Sequence, residues 1–283
     1  MSEVSIDTGP LKGAMIQSKD GSGVAFFGGI PYAAPPVGEL RWRAPQAPDC
    51  WTELRDATTY GASCPQFVHG EGGFRDSITR GLGIDPPEAE ALTYDEDCLF
   101  LNVFSPDINS QTNLPVLFWV HGGAHRFGSS THYPGQELAA KGVVVVTINY
   151  RLGPLGFLSH PELTAEGCSG NQGLLDTVFA LQWVQRNISQ FGGNPANVTV
   201  FGESAGGQST CAMFTSPLCK GLVHRAIAQS GVGAQATQLL DKPGAVPISA
   251  HDTGEILGEV IGCEKGKDQL RAMREIDVDE LIS

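Results

Sequence analysis

Ser204 stands between Gly202 and Gly206 in the run Phe201-Gly202-Glu203-Ser204-Ala205-Gly206-Gly207, directly after Val198-Thr199-Val200. A serine hydroxyl is a weak nucleophile until the chain aims it at a base. A strand that turns abruptly into a helix does this, and the flanking glycines remove side chains that would collide in the bend. A second glycine run, His121-Gly122-Gly123-Ala124, follows the apolar stretch Val116-Leu117-Phe118-Trp119-Val120. Small residues there let backbone N–H groups approach a ligand closely. In acyl transfer such N–H groups stabilise the oxyanion, and one donor is typically worth about 10²–10³ in rate. The amide of Ala205, next after the serine, supplies another donor. The candidate chemistry is therefore acyl transfer, with Ser204 as nucleophile and backbone N–H groups among residues 122 to 124 and of Ala205 as oxyanion donors.

Both glycine runs need strands to carry them. Residues 99–104, 115–120, 143–148, 198–201 and 226–229 are short apolar runs. The near-continuous Val143-Val144-Val145-Val146 suits a strand covered on both faces. Leu174, Val178, Leu181, Val184 and Ile188 recur at spacings of three and four, so they share one face of a helix. Strands alternating with helices predict an α/β fold with a doubly wound, mostly parallel sheet. Ligand sites in such sheets lie at the carboxyl ends of strands, where both glycine runs fall. Residues 4–6, 11–17 and 24–27 predict a small N-terminal antiparallel sheet. Residues 30–48 read as an ordered Pro-rich loop, and residues 65–95 as a long surface excursion. In the tail, Ile256, Leu257, Val260 and Ile261 predict one apolar helix face and Leu270, Met273 and Ile276 another.

Composition narrows the function classes. The 283 residues are 41% hydrophobic and 17% charged, enough apolar mass for a sizeable core, and are expected to form one domain over 1–283. A net charge of -13 disfavours nucleic acid and anionic membranes as partners. It could draw cationic substrates toward a cleft, but ordinary acidic solubility is the favoured explanation. No run approaches membrane-spanning length, and no basic stretch followed by an apolar core opens the chain, so a cytoplasmic location is expected. The seven cysteines show no Cys-x-x-Cys spacing. His121, His125 and His132 lie across a glycine-rich turn rather than on one helical face, so no metal site is expected, and acyl transfer through a serine needs neither a metal nor an organic cofactor.

At this point the motifs carry a resemblance. Phe191-Gly192-Gly193-Asn194-Pro195-Ala196-Asn197-Val198, continuing through Gly207, resembles the active-serine signature of the type-B carboxylesterases. That α/β-hydrolase group holds carboxylesterases, cholinesterases and some lipases. Glu96-Asp97-Cys98-Leu99-Phe100-Leu101-Asn102-Val103 is similar to its second signature. Asn149 to Phe157 and Ala228-Gln229-Ser230-Gly231 also match, so the resemblance runs from about Gly9 to the end. It implies an ester hydrolase acting on small-molecule esters through an acyl-enzyme, with Ser204, Gly123, Ala124 and Ala205 in the roles given above. It implies Glu203 and Ser230 as polar residues behind the site, and ion pairs of Arg41 with Glu96 and Arg151 with Asp176. Cys64 and Cys98 match a disulfide pair of secreted members.

The departures from the family pattern carry their own expectations. In this fold the acid and the histidine follow the serine. After Ser204 only His224 and His251 remain, and neither matches the family's catalytic histidine. Family members are longer chains, so the base and acid are expected beyond Ser283 and the C-terminal half of the fold is expected to be missing, leaving an exposed apolar patch. Ala272 stands where a partner for Cys263 would be needed, and the lack of a leader favours reduced thiols. Residues 65–97 contain no tryptophan to stack on a quaternary ammonium, which argues against choline esters. His125 and Arg126 stand where the family usually has bulky apolar residues, implying a more polar cleft. Two alternatives belong to other classes: an inactive fragment, and a non-catalytic binding or adhesion module on the same fold. Ser204 and the intact oxyanion glycines argue against the second.

Overall fold

A computed structural model describes residues 2–67, 79–84, 92–233, 238–266 and 268–282. Most of the surface excursion expected at 65–95 lies outside the described residues. The strands are β1 (Ser2–Ile6), β2 (Gly9–Gln17), β3 (Gly23–Pro31), β4 (Arg55–Asp56), β5 (Phe100–Ser105), β6 (Leu114–Val120), β7 (Val144–Ile148), β8 (Gly193–Glu203) and β9 (Arg225–Gln229). They form one sheet in the order β1-β2-β3-β5-β7-β6-β8-β9, with β4 pairing to β2. From β1 to β7 the neighbours are antiparallel, while β7, β6, β8 and β9 are parallel. The N-terminal antiparallel strands are therefore continuous with the main sheet.

The sequence pattern explains the layers. Alternate side chains of a strand point to opposite faces. Phe27, Val103, Val116, Phe118, Val144 and Val146 join the larger core cluster on one face. Their neighbours Phe26, Phe104 and Val145 form the smaller cluster on the other face. All five residues of β7 are buried, as its β-branched run requires.

The helices are α1 (Gln136–Ala139), α2 (Gly153–Phe157), α3 (Pro161–Ala165), α4 (Gln172–Asn187), α5 (Ala205–Thr215), α6 (Ala250–Val260), α7 (Gln269–Glu275) and α8 (Val278–Ile282). Along α4, Val178, Leu181 and Val184 are buried with Trp183 in the larger core. The helix ends through a 3-10 turn, Ile188–Phe191, into Gly192. Among the described residues no helix is long and apolar enough to cross a membrane.

The tail differs from its expected pattern in one helix. Leu257 and Ile261 of the anticipated face pack on the core, but Ile256 and Val260 are exposed. The buried stripe of α6 is Gly254 and Gly258. A methyl group at Gly254 would stand 1.8 Å from the Ser159 carbonyl oxygen. Backbone contact through small residues, rather than a wide apolar face, seats this helix. In α7, Leu270 and Met273 are buried as the spacing requires.

A polar clamp fastens the tail to the N-terminal loop. Arg41 binds Glu96 through Nε at 2.8 Å and through a second nitrogen. Its Nη1 donates to the carbonyls of Met273, Arg274 and Ile276 at 3.3, 3.2 and 2.7 Å, beside the end of α7. A cation suits the carbonyl-rich carboxyl end of a helix.

Candidate active site

Ser204 sits between the end of β8 and the start of α5, with φ 55° and ψ -118°. A non-glycine residue in such a sparsely populated region costs on the order of 1–3 kcal/mol and persists only where its surroundings enforce it. Two backbone bonds do so here. The Ser204 amide donates to the Gln229 carbonyl at 2.8 Å, and the Ser204 carbonyl accepts from the Gln208 amide at 3.0 Å. The glycines around the bend answer a steric demand. A methyl group at Gly206 would lie 2.0 Å from the Val120 carbonyl oxygen, at the end of β6. Only a bare α-carbon lets the new helix start against that strand.

The glycine loop after β6 folds onto the serine. Gly123, Ala124 and His125 all have positive φ, at 105°, 55° and 56°. At Gly123 a methyl group would stand 2.0 Å from the Phe127 carbonyl oxygen, so this sharp reversal needs glycine. The reversal closes with the Arg126 and Phe127 amides donating to the Gly123 carbonyl at 2.9 and 3.1 Å. A methyl group placed on Gly122 would be 3.3 Å from Ser204 Cβ and 2.9 Å from a Glu203 carboxylate oxygen. The loop is therefore in van der Waals reach of the serine. Among the described residues, no acceptor takes the amides of Gly123, Ala124 or Ala205. Ala205 is the first residue of α5, where an N–H has no partner inside the helix.

His121 anchors the loop. Its Nδ1–H donates to the Gly122 carbonyl at 2.8 Å, and its ring stacks on Tyr150 at 4.5 Å between centroids. The Tyr150 hydroxyl donates to the His121 carbonyl at 2.8 Å. Burial pulls the imidazole down to about 4, so the ring is neutral at pH 7.

The remaining anticipated residues fall as follows. Glu203 and Ser230 flank the bend and are exposed, and Ser230 also has positive φ, at 51°. Arg151 and Asp176 form the expected pair, at 2.8 and 2.7 Å, with a third bond from the Arg151 amide to Asp176 at 3.1 Å. The Arg41–Glu96 pair also forms. Cys64 and Cys98 are both buried and are not bridged in this structure, and Cys64 Sγ donates to the Pro65 carbonyl at 3.6 Å. The Leu152 amide donates to Cys64 Sγ at 3.3 Å.

Neither downstream histidine serves the serine. His224 accepts from the Val198 amide at 3.2 Å, at the start of β9. Strand pairing sets Glu203 opposite Gln229, five residues further on, or roughly 16 Å along the strand. His251 bonds Thr164 at 2.7 Å.

Residue types alone did not mark one feature. His125 Nε2 lies 2.9 Å from Ser209 Oγ, and the ring packs on Phe157 at 4.8 Å. Both line a cavity of about 510 Å³ beside α5. The two residues are 84 positions apart, so no local signal joins them. Among the described residues, no cluster of three or more His, Cys, Asp or Glu side chains has a metal-binding arrangement.

A strand-to-helix serine bend facing a glycine loop, at adjacent carboxyl ends of a mostly parallel sheet, defines an α/β-hydrolase. The chain belongs to the carboxylesterase family, whose model matches residues 1–283. It is 43% identical over 270 residues to the para-nitrobenzyl esterase of Bacillus subtilis (strain 168), covering 92% of this chain and 49% of that protein. It is 42% identical over 262 residues to the cocaine esterase of Homo sapiens, covering 91% of this chain and 44% of that one. Among solved structures, a thermophilic pNB esterase superimposes with TM-score 0.81 at 41% identity, over 99% of this chain and 52% of the other. The chain spans about half the length of the relatives it matches.

Proposed function

We propose that this chain carries the nucleophile and oxyanion half of a serine carboxylic-ester hydrolase. Ser204 Oγ attacks the ester carbonyl carbon. The carbonyl oxygen becomes an oxyanion and is held by the amides of Gly123, Ala124 and Ala205. A histidine takes the Ser204 proton and returns it to the leaving alcohol, which leaves Ser204 acylated. Water then attacks the acyl-enzyme with the same histidine as base, releasing the acid and restoring Ser204.

One observation carries this reading. Ser204 holds a sparsely populated backbone conformation beside the glycine loop, and no acceptor within the described residues uses the amides of Gly123, Ala124 or Ala205. The similarity to a para-nitrobenzyl esterase, a cocaine esterase and a carboxylesterase supports the same reading. The histidine and its carboxylate partner are assigned to polypeptide outside these 283 residues. Three facts support that assignment: the relatives are about twice as long, His224 and His251 are engaged elsewhere, and β9 is exposed at the sheet edge. Glu203 and Ser230 then become the polar backing of the site once the second half covers them.

The test compares p-nitrophenyl butyrate hydrolysis by the 283-residue chain and by a chain carrying a C-terminal half, either from its own continued reading frame or fused from a relative. The longer chain is expected to turn over, and Ser204→Ala to remove at least about 10³ of its rate. The short chain is expected to show only residual rate from the oxyanion donors. Unchanged activity in Ser204→Ala would refute the nucleophile assignment. Robust Ser204-dependent turnover by the short chain would refute the assignment of the base.

A further inference from the structure

We propose that the cavity beside α5 is a polar subsite in which His125 and Ser209 select esters bearing a hydroxyl or ether oxygen on the chain that enters it. The inference rests on the esterase reading and assigns that reading a substrate class.

The location follows from the chain path. His125 directly follows the candidate donor Ala124, and Ser209 lies on α5 five residues after Ser204. The cavity wall is thus joined in sequence to the oxyanion loop and to the helix that starts at the nucleophile, and an ester held at Ser204 is taken to extend one chain into it. The cavity holds about 510 Å³, room for a small ester chain rather than for one water.

The wall chemistry is mixed. Phe157 and Leu174 supply apolar surface, while His125, Ser209, Ser159 and Asn171 supply polar groups. The Ser159 and Asn171 side chains make no hydrogen bond to other described residues, although Ser159 is buried. Their polar atoms remain available to a ligand. Burial lowers the affinity of His125 for a proton, so its ring is neutral near pH 7. A neutral imidazole has one donor and one acceptor nitrogen, and a serine hydroxyl can play either part. The 2.9 Å His125–Ser209 pair, with the Ala205 backbone as a second partner of the ring, places polar groups on the cavity wall. A wholly apolar chain would offer no partner to the Ser159 and Asn171 side chains, which is the cost a polar subsite uses to discriminate.

The position is also structurally committed. His125 holds φ 56°, its carbonyl accepts from the Gly153 amide at 2.7 Å, and its ring rests on Phe157. The ring is presented to the cavity by a fixed backbone.

The test measures binding with the chemistry removed, so its outcome is separate from that of the esterase reading. In the Ser204→Ala chain, dissociation constants are measured by NMR for two isosteric pairs. Ethyl 3-hydroxybutyrate against ethyl isovalerate places the difference on the acyl side. 2-Hydroxypropyl butyrate against isobutyl butyrate places it on the alcohol side. The hydroxyl member of one pair is expected to bind about five- to tenfold tighter. His125→Phe, which keeps the ring packing, is expected to abolish that preference. His125→Asn, which keeps a polar group and tolerates positive φ, is expected to retain part of it. Ser209→Ala offers an independent loss of the pair if the His125 variants do not fold. Equal affinities within both pairs, a preference that survives both His125→Phe and Ser209→Ala, or no binding of any probe would each overturn the proposal.

Discussion

The Ser204 amide donates to the Gln229 carbonyl at 2.8 Å, so the bend that presents the serine is braced by the last residue of β9. That strand is the edge of the sheet, and all five of its residues are exposed. Ile227 is 49% exposed, with Phe214, Leu218 and Val232 also open to solvent, which matches the apolar patch anticipated from the sequence. Unpaired, apolar sheet edges invite association. The 283-residue chain is expected to self-associate with rising concentration, and Ile227→Lys to reduce this. Sedimentation velocity over a dilution series checks it. A concentration-independent monomer would contradict the expectation.

Gly206→Ala adds a methyl group 2.0 Å from the Val120 carbonyl oxygen. Backbone cannot move aside as a flexible side chain would. The substitution is expected to cost on the order of 4 kcal/mol or to prevent folding. Urea unfolding is the measurement, and a loss under about 1 kcal/mol would show that the strand and helix can separate.

Asp176→Ala strips the buried Arg151 guanidinium of its carboxylate. Both side chains are almost wholly buried, at 2% and 0% exposure, so water screens neither. Removing one member of such a pair typically costs about 3–5 kcal/mol, because the other charge is left uncompensated. Paired removal with Arg151→Met is expected to recover part of the loss. Denaturant midpoints of the single and double variants decide the matter.

His121 makes stability depend on pH in a defined window. Its ring titrates near 4 when folded, against an ordinary value of 6.5. Between these values the unfolded chain binds a proton that the folded chain excludes. The stability linked to His121 is thus fully present above about 6.5 and declines as the pH falls to about 4, by roughly 3 kcal/mol at most. His121→Gln is expected to flatten this part of the profile, read from thermal unfolding between pH 7 and 4. An unchanged slope would mean that other groups carry it.

The hydrogen bond to Cys64 and burial push the Cys98 thiol well above its usual range. Thiolate is the reactive form. Iodoacetamide is therefore expected to modify the exposed Cys50 first and to reach Cys64 and Cys98 only on unfolding. Mass mapping of a time course tests this, and early labelling at Cys98 would contradict it.

Much of the scaffold was legible in residue order because its signals are local. A β-branched run at 144–148 suits a doubly covered strand, and the three-and-four spacing from Leu174 to Ile188 suits a helix face. The glycines at 202 and 206 marked the serine bend because the turn excludes side chains there. Even the Arg41 and Arg151 partners were expected, through a family resemblance rather than through any local pattern.

Tertiary structure alone decided the contacts between distant segments. It showed that Gly254 and Gly258, not Ile256 and Val260, face the core, because backbone approach to Ser159 outweighs apolar area. It brought Gln229 to the Ser204 amide, and His125 to Ser209 across 84 positions. It also determined which amides lack acceptors, since that depends on every neighbour of a backbone group rather than on its own residue type. The sequence by itself determined which elements form and where a nucleophile can stand. Long-range packing determined what surrounds that nucleophile, because hydrogen-bond partners and cavity walls belong to no single stretch of chain.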